Sequence, residues 1–400
     1  MHSALDGPHD MDGSLFFSVG EPSGDLHASN LIDQLRHLDP QLRYRGLGGA
    51  RMAASGCEID YDLTQLAVVG IIEVLPKLRE FFRVADLAEA VMKRERPSAV
   101  VLVDFPGFNW HMAKRAQRLG IPVIYYLPPQ LWAWGAWRLK KMRRYVDRVL
   151  CNLPFEPDWY AARNVEVEYV GHPFFDEVHA RQLDARFLQS WRDHDGLQVA
   201  VLPGSRTREV EKIWPMQLAA LRELGRRYPR TRFLVAAHRD AQCRACERLL
   251  NASDRNLNIE FFVGKTSEII ALCDCALMKS GSVSLEMMAR GKPAVVAYHA
   301  TRSFYAIGRC LTRLNSMTLP NMIAGETVMP EFLAIGSTSK TTGQIIAAMD
   351  RLLGDARAAQ SQKLNVLAAR YAQPGASRRA ATAILETLTA PTSRALRVSA

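Results

Sequence analysis

The chain has 400 residues, of which 48 % are apolar and 23 % are charged. This composition is typical of a globular protein and excludes a collagen, a coiled-coil rod and a disordered tail. At roughly 150 residues per domain, the length predicts two domains, each with a core of its own. The formal net charge of +10 predicts a surface that attracts anions, namely nucleic acid, anionic lipid or phosphorylated small molecules.

Short apolar runs alternate with longer amphipathic stretches, which predicts β-α units and mostly parallel sheets, an α/β fold. The predicted strands of the first half are Leu15 to Val19, Ala99 to Asp104, Val123 to Leu127, Arg148 to Leu153 and Val165 to Val170. After a polar interval they are Gln198 to Leu202, Phe233 to Ala237, Ile259 to Val263, Cys275 to Met278 and Ala294 to Ala297. We therefore predict an N-terminal domain over residues 1–180, a C-terminal domain over 181–340 and a closing helical segment over 341–400.

The cysteines and the N-terminus indicate the compartment. Seven cysteines without the spacing of a disulfide framework suit a reducing compartment. The first residues do not resemble a signal peptide, and no stretch approaches the roughly 20 apolar residues that span a bilayer. We expect a soluble cytoplasmic protein that can still bind a membrane surface.

The loop after the first predicted strand is GEPSGD, residues 20–25. A glycine-bounded loop at the carboxyl end of a parallel strand lets the backbone approach a ligand, and the following helix offers free N–H groups. The candidates for a substrate loop here are Glu21, Ser23, Gly24 and Asp25. The alternative is a tight turn in which Ser23 or Asp25 caps the helix.

Two further loops suggest a nucleotide site. In Pro203-Gly204-Ser205-Arg206, small residues precede a helix and Arg206 adds a fork of donors, so a nucleoside diphosphate would fit. The run from Lys279 contains Ser280, Gly281, Ser282 and then Glu286, whose carboxylate could accept hydrogen bonds from a ribose. The alternatives are a capped turn for the first loop and, for Glu286, a carboxylate that only stabilises the helix start.

Asp104 ends the buried run AVVLV, so it is expected in the crevice where open α/β sheets bind ligands. We take it as the general-base candidate, with helix capping as the alternative.

Two segments combine apolar and basic residues. The stretch from Val68 to Val84 reads mainly as the core face of a helix. The stretch from Arg138 to Arg148 holds six basic residues beside three tryptophans, which suits either a solvated helix face or a site for anionic head groups.

The closely spaced cysteine pairs, Cys243 with Cys246 and Cys273 with Cys275, favour core packing over a zinc site because the ligand spacing is incomplete. We expect no metal and no cofactor.

Nine motifs occur in a characteristic order over most of residues 14–335. They are GEPSGD (20–25), GLGGARMAASG (46–56), LAVVGIIEVL (66–75), VDFPGFN (103–109), LWAW (131–134), VGHPFFDEV (170–178), LPGSR (202–206), SGSVSLE (280–286) and LPNMIAG (319–325). Together they resemble the lipid-A-disaccharide synthases, glycosyltransferase family 19. One departure is Gly107, where family members often carry a second acid.

The resemblance implies a GT-B fold, with two Rossmann-like domains facing a cleft and closing C-terminal helices. It implies an inverting, metal-independent transfer from UDP-2,3-diacylglucosamine to 2,3-diacylglucosamine 1-phosphate, which gives a β-1,6-linked disaccharide and UDP. It also implies a homodimer on the inner face of the cytoplasmic membrane, and it adds Asn109 and Asn321 to the substrate-loop residues.

Two alternatives belong to other classes. One is a UDP-sugar epimerase or a glycosyltransferase with a soluble acceptor, whose nucleotide site would look alike. The other is a nucleic-acid binder, which the net charge suggests and the absence of a recognisable nucleic-acid-binding motif opposes.

Overall fold

The computed structural model of the chain describes residues 13–67, 74–302, 305–306 and 316–389. The start of the apolar stretch from Val68, with most of the motif LAVVGIIEVL, lies outside these residues. The chain divides into two compact units: the first ends at Pro173 and resumes at Gly375, and the second is Phe174–Pro374. The boundary thus falls a few residues before the predicted one at 180, and the predicted closing segment 341–400 is shared between the two units.

A seven-stranded parallel sheet forms the first unit, in the order β3-β2-β1-β4-β5-β6-β7. Its strands are β1 (Ser14–Val19), β2 (Arg43–Gly48), β3 (Glu58–Asp62), β4 (Ala99–Val103), β5 (Val123–Tyr126), β6 (Arg148–Cys151) and β7 (Glu168–Tyr169). Its helices before residue 173 are α1 (Pro22–Leu38), α2 (Ala50–Ala54), α3 (Thr64–Ala67), α4 (Val74–Glu95), α5 (Pro106–Arg118), α6 (Leu139–Tyr145) and α7 (Glu156–Ala161). The strand order changes direction between β1 and β4, and such a switch point is where open α/β sheets bind ligands.

The second unit contains a six-stranded parallel sheet in the order β10-β9-β8-β11-β12-β13. The strands are β8 (Gln198–Leu202), β9 (Arg232–Ala237), β10 (Ile259–Val263), β11 (Cys275–Lys279), β12 (Ala294–Ala300) and β13 (Glu331–Ile335). The helices are α8 (Phe174–Ala180), α9 (Ala185–Arg192), α10 (Thr207–Arg227), α11 (Asp240–Glu247), α12 (Thr266–Leu272), α13 (Val283–Ala289), α14 (Leu319–Ala324), α15 (Ser339–Leu353) and α16 (Ala356–Tyr371). The equivalent switch point lies between β8 and β11.

Three strands were not predicted from the sequence: β2, β3 and β13. β2 reads RYRGLG and β3 reads EIDYD, so neither has the apolar run of a strand buried on both faces. Gly46 in β2 pairs with Phe17, and a Cβ there would come within 2.1 Å of the Phe17 carbonyl oxygen. Close backbone approach, not strand propensity, therefore explains this glycine.

The last described helix, α17 (Ala376–Thr389), returns to the first unit. Its small side chains pack into the core that contains α1, with Ala380, Ala381 and Ile384 fully buried. Arg148 Nη1 donates hydrogen bonds to the Ala383 carbonyl oxygen at 2.5 Å and to Thr387 Oγ1 at 2.8 Å. These contacts attach α17 to β6.

Candidate functional site

Asp104 lies directly after β4, at the switch point of the first sheet. Val103 pairs with Val19, so Asp104 stands beside Gly20 and the loop 20–25. Asp104 and Phe105 have φ values of 46° and 43°. This left-handed conformation costs a non-glycine residue roughly 1–2 kcal/mol, so the surrounding contacts must hold the turn.

Asn109 holds this turn from the first helical turn of α5. Its Nδ2 donates to the carbonyl oxygens of Asp104 at 2.7 Å and Val103 at 3.2 Å. Its Oδ1 accepts a hydrogen bond of 2.7 Å from Ser18 Oγ, and the residue is fully buried. The buried Tyr125 hydroxyl also donates to the Asp104 carbonyl oxygen, at 2.7 Å. Asn109 was predicted as a substrate-loop residue, but its amide is committed to the backbone, so the structure favours a role in positioning Asp104.

Burial raises the pKa of the Asp104 carboxyl above its ordinary value, and the Phe105 backbone N–H and nearby His27 oppose this shift. The His27 ring meets the His172 ring edge-on, with the centroids 6.2 Å apart. Burial lowers the pKa of His172 to about 3, so this imidazole is neutral near pH 7. A carboxylate with a raised pKa in a little-solvated turn is a stronger base than one in water.

The loop 20–25 fits tightly against this turn. A Cβ at Gly20 would overlap the Phe105 ring, with its Cδ1 only 2.1 Å away. Asp25 Oδ1 accepts the backbone N–H of Gly49 at 2.8 Å, and Oδ2 accepts that of Arg51 at 3.1 Å. Asp25 therefore anchors the start of α2, and the predicted substrate contact is not supported because both oxygens bind backbone.

The other residues of this loop are placed differently. Gly24 is buried, and a Cβ there would come within 3.1 Å of Val19 Cγ1, so its small size serves packing. Glu21 is half-buried and Ser23 is exposed, at the start of α1 beside Asp104. Of the four predicted residues, these two remain candidates for ligand contact.

Gly107 is exposed on the first turn of α5. Apart from its chain neighbours and the backbone of its own helix, no described atom lies within 4 Å of a Cβ built at this position. The space that the family's second acid would use is therefore open in this chain.

The predicted phosphate loops meet in the second unit. Leu202 pairs with Met278, so the loop after β8 and the loop after β11 begin side by side. They line an open pocket of about 200 Å³ that includes Gly204, Ser205, Ser280, Gly281 and Ser282. Gly204 has a φ of 124°, a conformation that favours glycine.

Arg206 lies at the end of the first of these loops and is the N-cap residue of α10. Its side chain is 82 % exposed and its Nη1 lies 3.4 Å from Glu209 Oε1. The Arg206 guanidinium, which was predicted to donate hydrogen bonds to a phosphate, is thus next to the pocket but highly exposed to solvent.

Glu286 is not among the residues that line the pocket. Its side chain is only 3 % exposed. Oε2 accepts a 3.1 Å hydrogen bond from Ser267 Oγ, and Oε1 accepts one of 3.0 Å from Arg290 Nε. Both oxygens are therefore engaged within the unit, which favours a structural role for Glu286 over the predicted ribose contact.

Asn321 is likewise occupied by its own chain. Its Oδ1 accepts the backbone N–H groups of Val328 and Met329, each at 2.8 Å. Its Nδ2 donates to the Met329 carbonyl oxygen and to Glu331 Oε1, also at 2.8 Å. Asn321 therefore fixes the chain between α14 and β13, and the predicted substrate contact is not supported.

Sequence reasoning missed four polar residues of the pocket wall: Glu209, His238, Thr266 and Lys279. Lys279 Nζ lies 3.2 Å from Glu209 Oε1. The signal for Lys279 was present, since it directly precedes the Ser-Gly-Ser loop. Glu209 stands three residues after Arg206 and was hidden because an acid in a first helical turn is ordinary.

Three of the four paired cysteines belong to the hydrophobic core, whereas Cys243 is half-buried and lies outside it. Cys246, Cys273 and Cys275 are buried, and burial raises the pKa of the Cys246 and Cys273 thiols to about 12. No group of three or more His, Cys, Asp or Glu side chains suited to a metal ion occurs within the described residues.

An aromatic and basic surface lies in the first unit, around the short 3-10 helix Ala136–Arg138. Trp134 is 45 % and Trp137 is 67 % exposed, and the Arg138 guanidinium lies 4.4 Å and 4.9 Å from their ring centroids. Further basic residues follow on α6: Lys140, Lys141, Arg143 and Arg144. We call this set, Trp134, Trp137, Arg138 and the four basic residues of α6, the tryptophan-basic surface.

A buried carboxylate holds Trp132, which lies two residues before the tryptophan-basic surface. Trp132 Nε1 donates a 3.0 Å hydrogen bond to Glu156 Oε1, and the backbone N–H of Leu153 donates to Oε2 at 2.8 Å. Burial raises the pKa of Glu156 to about 7.

Over the ranges that the structure covers, no helix is both long and apolar enough to cross a membrane.

Comparison with known proteins assigns the chain to a family. A family model described as lipid-A-disaccharide synthetase matches residues 15–387. The chain is 35 % identical over 374 residues to the lipid-A-disaccharide synthase of Anaeromyxobacter dehalogenans, which covers 92 % of this chain and 95 % of that protein. It is 34 % identical over 374 residues to that of Myxococcus xanthus, with 92 % and 96 % covered.

Solved structures give the fold. UDP-GlcNAc 2-epimerase from Neisseria meningitidis bound to UDP-GlcNAc aligns with a TM-score of 0.63 at 13 % identity, covering 93 % of this chain and 99 % of that one. A calicheamicin glycosyltransferase aligns with a TM-score of 0.58 at 14 % identity, covering 94 % and 98 %. The fold is thus the predicted GT-B type, with two Rossmann-like units, and the epimerase alternative has support from fold alone. The extent of the family match and the identity to the curated relatives show that this chain belongs to the lipid-A-disaccharide synthase family.

Proposed function

We propose that this protein condenses UDP-2,3-diacylglucosamine with 2,3-diacylglucosamine 1-phosphate, giving the β-1,6-linked disaccharide 1-phosphate and UDP. The observation that carries this proposal is the family match over residues 15–387. The two units add a base candidate at one switch point and a pocket lined by small residues at the other. Nothing comparable supports a soluble acceptor or a nucleic acid.

The first unit would supply the base. Asp104 removes the proton from the acceptor 6-hydroxyl as this oxygen attacks C1 of the donor sugar. The C1–oxygen bond to the diphosphate breaks, UDP leaves with its electron pair, and the anomeric centre inverts. A base with a raised pKa takes this proton more readily, provided that it is ionised at the working pH.

The second unit would bind the donor. Backbone N–H groups of Gly204 and Ser205, with the serine-glycine loop at Ser280 to Ser282, would donate hydrogen bonds to the diphosphate in the pocket. Arg206 adds positive charge at the rim. Such donors stabilise the negative charge that grows on UDP as the bond breaks, which is the main task in a reaction that uses no cation.

Both substrates carry acyl chains, so the enzyme must reach a membrane surface. The tryptophan-basic surface supports contact with anionic lipid, because indole rings lie at the head-group level and basic residues attract the surface charge. We accordingly propose a peripheral enzyme on the inner face of the cytoplasmic membrane. A homodimer is proposed on the family resemblance.

The test is release of UDP from UDP-2,3-diacylglucosamine with and without 2,3-diacylglucosamine 1-phosphate, in EDTA. Acceptor-dependent release supports the reaction and its independence of metal. Acceptor-independent turnover of UDP-GlcNAc would favour an epimerase. Absence of release by protein that still binds UDP would refute the proposed acceptor.

A further inference from the structure

Lys279 is the last residue of β11 and lines the pocket that we propose for the nucleotide. Its side chain is 17 % exposed, whereas that of Arg206 at the rim is 82 % exposed. Charge interactions weaken as solvent screening increases. At equal distance, an anion in this pocket would therefore interact more strongly with the ammonium of Lys279 than with the guanidinium of Arg206.

The ammonium is held in place by two described neighbours. Nζ lies 3.2 Å from Glu209 Oε1 and 5.7 Å from the centroid of the Tyr298 ring. A lysine ammonium carries three N–H donors. One serves Glu209 and one faces the ring, so within the described contacts a third remains for the pocket that the side chain lines.

Glu209 joins this lysine to the first phosphate loop. Its Oε1 also lies 3.4 Å from Arg206 Nη1, and a Cβ at Gly204 would stand 3.2 Å from its Oε2. One carboxylate oxygen thus contacts both cations, and the carboxylate packs beside the glycine of the loop. Replacing that glycine would press against the same carboxylate.

We propose that Lys279 binds the diphosphate of the donor and stabilises the charge on departing UDP, with Glu209 as its positioning residue. This inference rests on the proposed function and adds a residue to its donor site. A lysine kept only for an ion pair between partly exposed groups would contribute little to the stability of the fold and nothing to nucleotide affinity. The two roles differ in what happens to nucleotide affinity.

The experiment is calorimetric titration of the full chain with UDP and with uridine, comparing the wild type with Lys279→Met. A lost charge-assisted hydrogen bond to phosphate weakens UDP binding by about 10- to 100-fold. Uridine has no phosphate, so its affinity should stay unchanged. Lys363→Met is the matched control, because Lys363 also lies 3.2 Å from a carboxylate, that of Glu326, on an exposed surface.

Glu209→Gln separates electrostatic binding from a structural role. Both Lys279→Met and Glu209→Gln break the same ion pair, so a structural role predicts effects in the same direction. In our proposal the glutamine removes a negative charge beside the bound diphosphate and keeps a hydrogen-bonding side chain, so UDP affinity should rise. Opposite signs for the two variants therefore support the proposal, and equal signs overturn it.

Failure of this inference can be told apart from failure of the proposed function. If the wild type and Lys279→Met bind UDP equally, Lys279 has no role in nucleotide binding and the proposed reaction stands. If the wild type binds no UDP, the donor site itself is refuted. Should Lys279→Met not fold, Lys279→Gln replaces it, with a thermal melt to verify folding before titration.

Discussion

Replacing Asn109 with alanine tests whether the left-handed turn at Asp104 positions the base. The pair Asp104 and Phe105 costs roughly 2–4 kcal/mol in backbone strain. Asn109 opposes this cost with hydrogen bonds to three carbonyl oxygens and one from Ser18 Oγ. The side-chain amide has only two N–H donors for the three carbonyl oxygens, so together with the bond from Ser18 it forms about three full hydrogen bonds. At about 1 kcal/mol per net bond, the substitution should lower the free energy of unfolding by about 3 kcal/mol.

The substitution should also reduce catalysis, because too few hydrogen bonds are left to hold the turn at Asp104. After the substitution only the Tyr125 hydroxyl still binds the Asp104 carbonyl oxygen, and one bond of about 1 kcal/mol does not balance the strain. The turn should relax and move the carboxylate. A displacement of about 1 Å reduces turnover by roughly 100-fold, so we expect kcat to fall to that extent.

The assay pairs urea unfolding with initial rates of acceptor-dependent UDP release and with UDP titration. UDP affinity should be unchanged, since the pocket belongs to the other unit. Tyr125→Phe is the control: it removes one hydrogen bond to the same carbonyl oxygen and leaves Asn109 in place, so stability falls by about 1 kcal/mol and kcat falls less. If Asn109→Ala loses stability and keeps full kcat, the turn does not position the base.

Three further variants test separate features. Asp104→Asn should reduce turnover by about 10²- to 10⁴-fold with UDP binding intact. Because burial raises the folded-state pKa of Asp104, the stability of the wild type falls as pH rises through that pKa. The variant should therefore have a higher melting temperature than the wild type at pH 8, and this difference should vanish as pH falls. A lower melting temperature of the variant at pH 8 would contradict this. Gly107→Asp should fit its open position, and the new carboxylate should raise the melting temperature slightly because it interacts favourably with the dipole of α5. Turnover should stay unchanged. A large gain in turnover would show that the reaction uses a second acid. The double variant Trp134→Ala and Trp137→Ala should bind anionic vesicles at least about tenfold more weakly in a sedimentation assay, with UDP binding unchanged. Undiminished sedimentation would exclude this surface from membrane contact.

The buried strands were predictable because a strand covered on both faces needs a continuous apolar run. AVVLV at β4 and QVAVL at β8 show such runs, and every residue of both strands is buried. β2 and β3 carry charged side chains, one of which, Arg45, forms an ion pair with Asp60 across the two strands. Their pairing is tertiary information that a single strand sequence does not contain.

The positions of the site loops were predictable, whereas several residue roles were not. Loops that follow parallel strands meet at one edge of a sheet, so Asp104 and Gly204 could be placed at the ligand-binding edge from the predicted strand ends. The sequence does not distinguish a polar residue that binds a ligand from one that binds its own chain. This applies to three residues beside such loops: Asp25, Asn321 and Glu286. What distinguishes them is the partner about 3 Å away, which only the fold supplies.

The first unit is assembled from two separate stretches of the chain. Its core includes Ala380 and Ile384, which are translated after the whole of the second unit. The second unit is a continuous stretch from Phe174 to Pro374, so it can complete its core first during synthesis. The core of the first unit stays incomplete until α17 has also been synthesised. A premature stop codon shortly before Ala376 would therefore destabilise the part of the protein made earliest, and with it the acidic turn at Asp104.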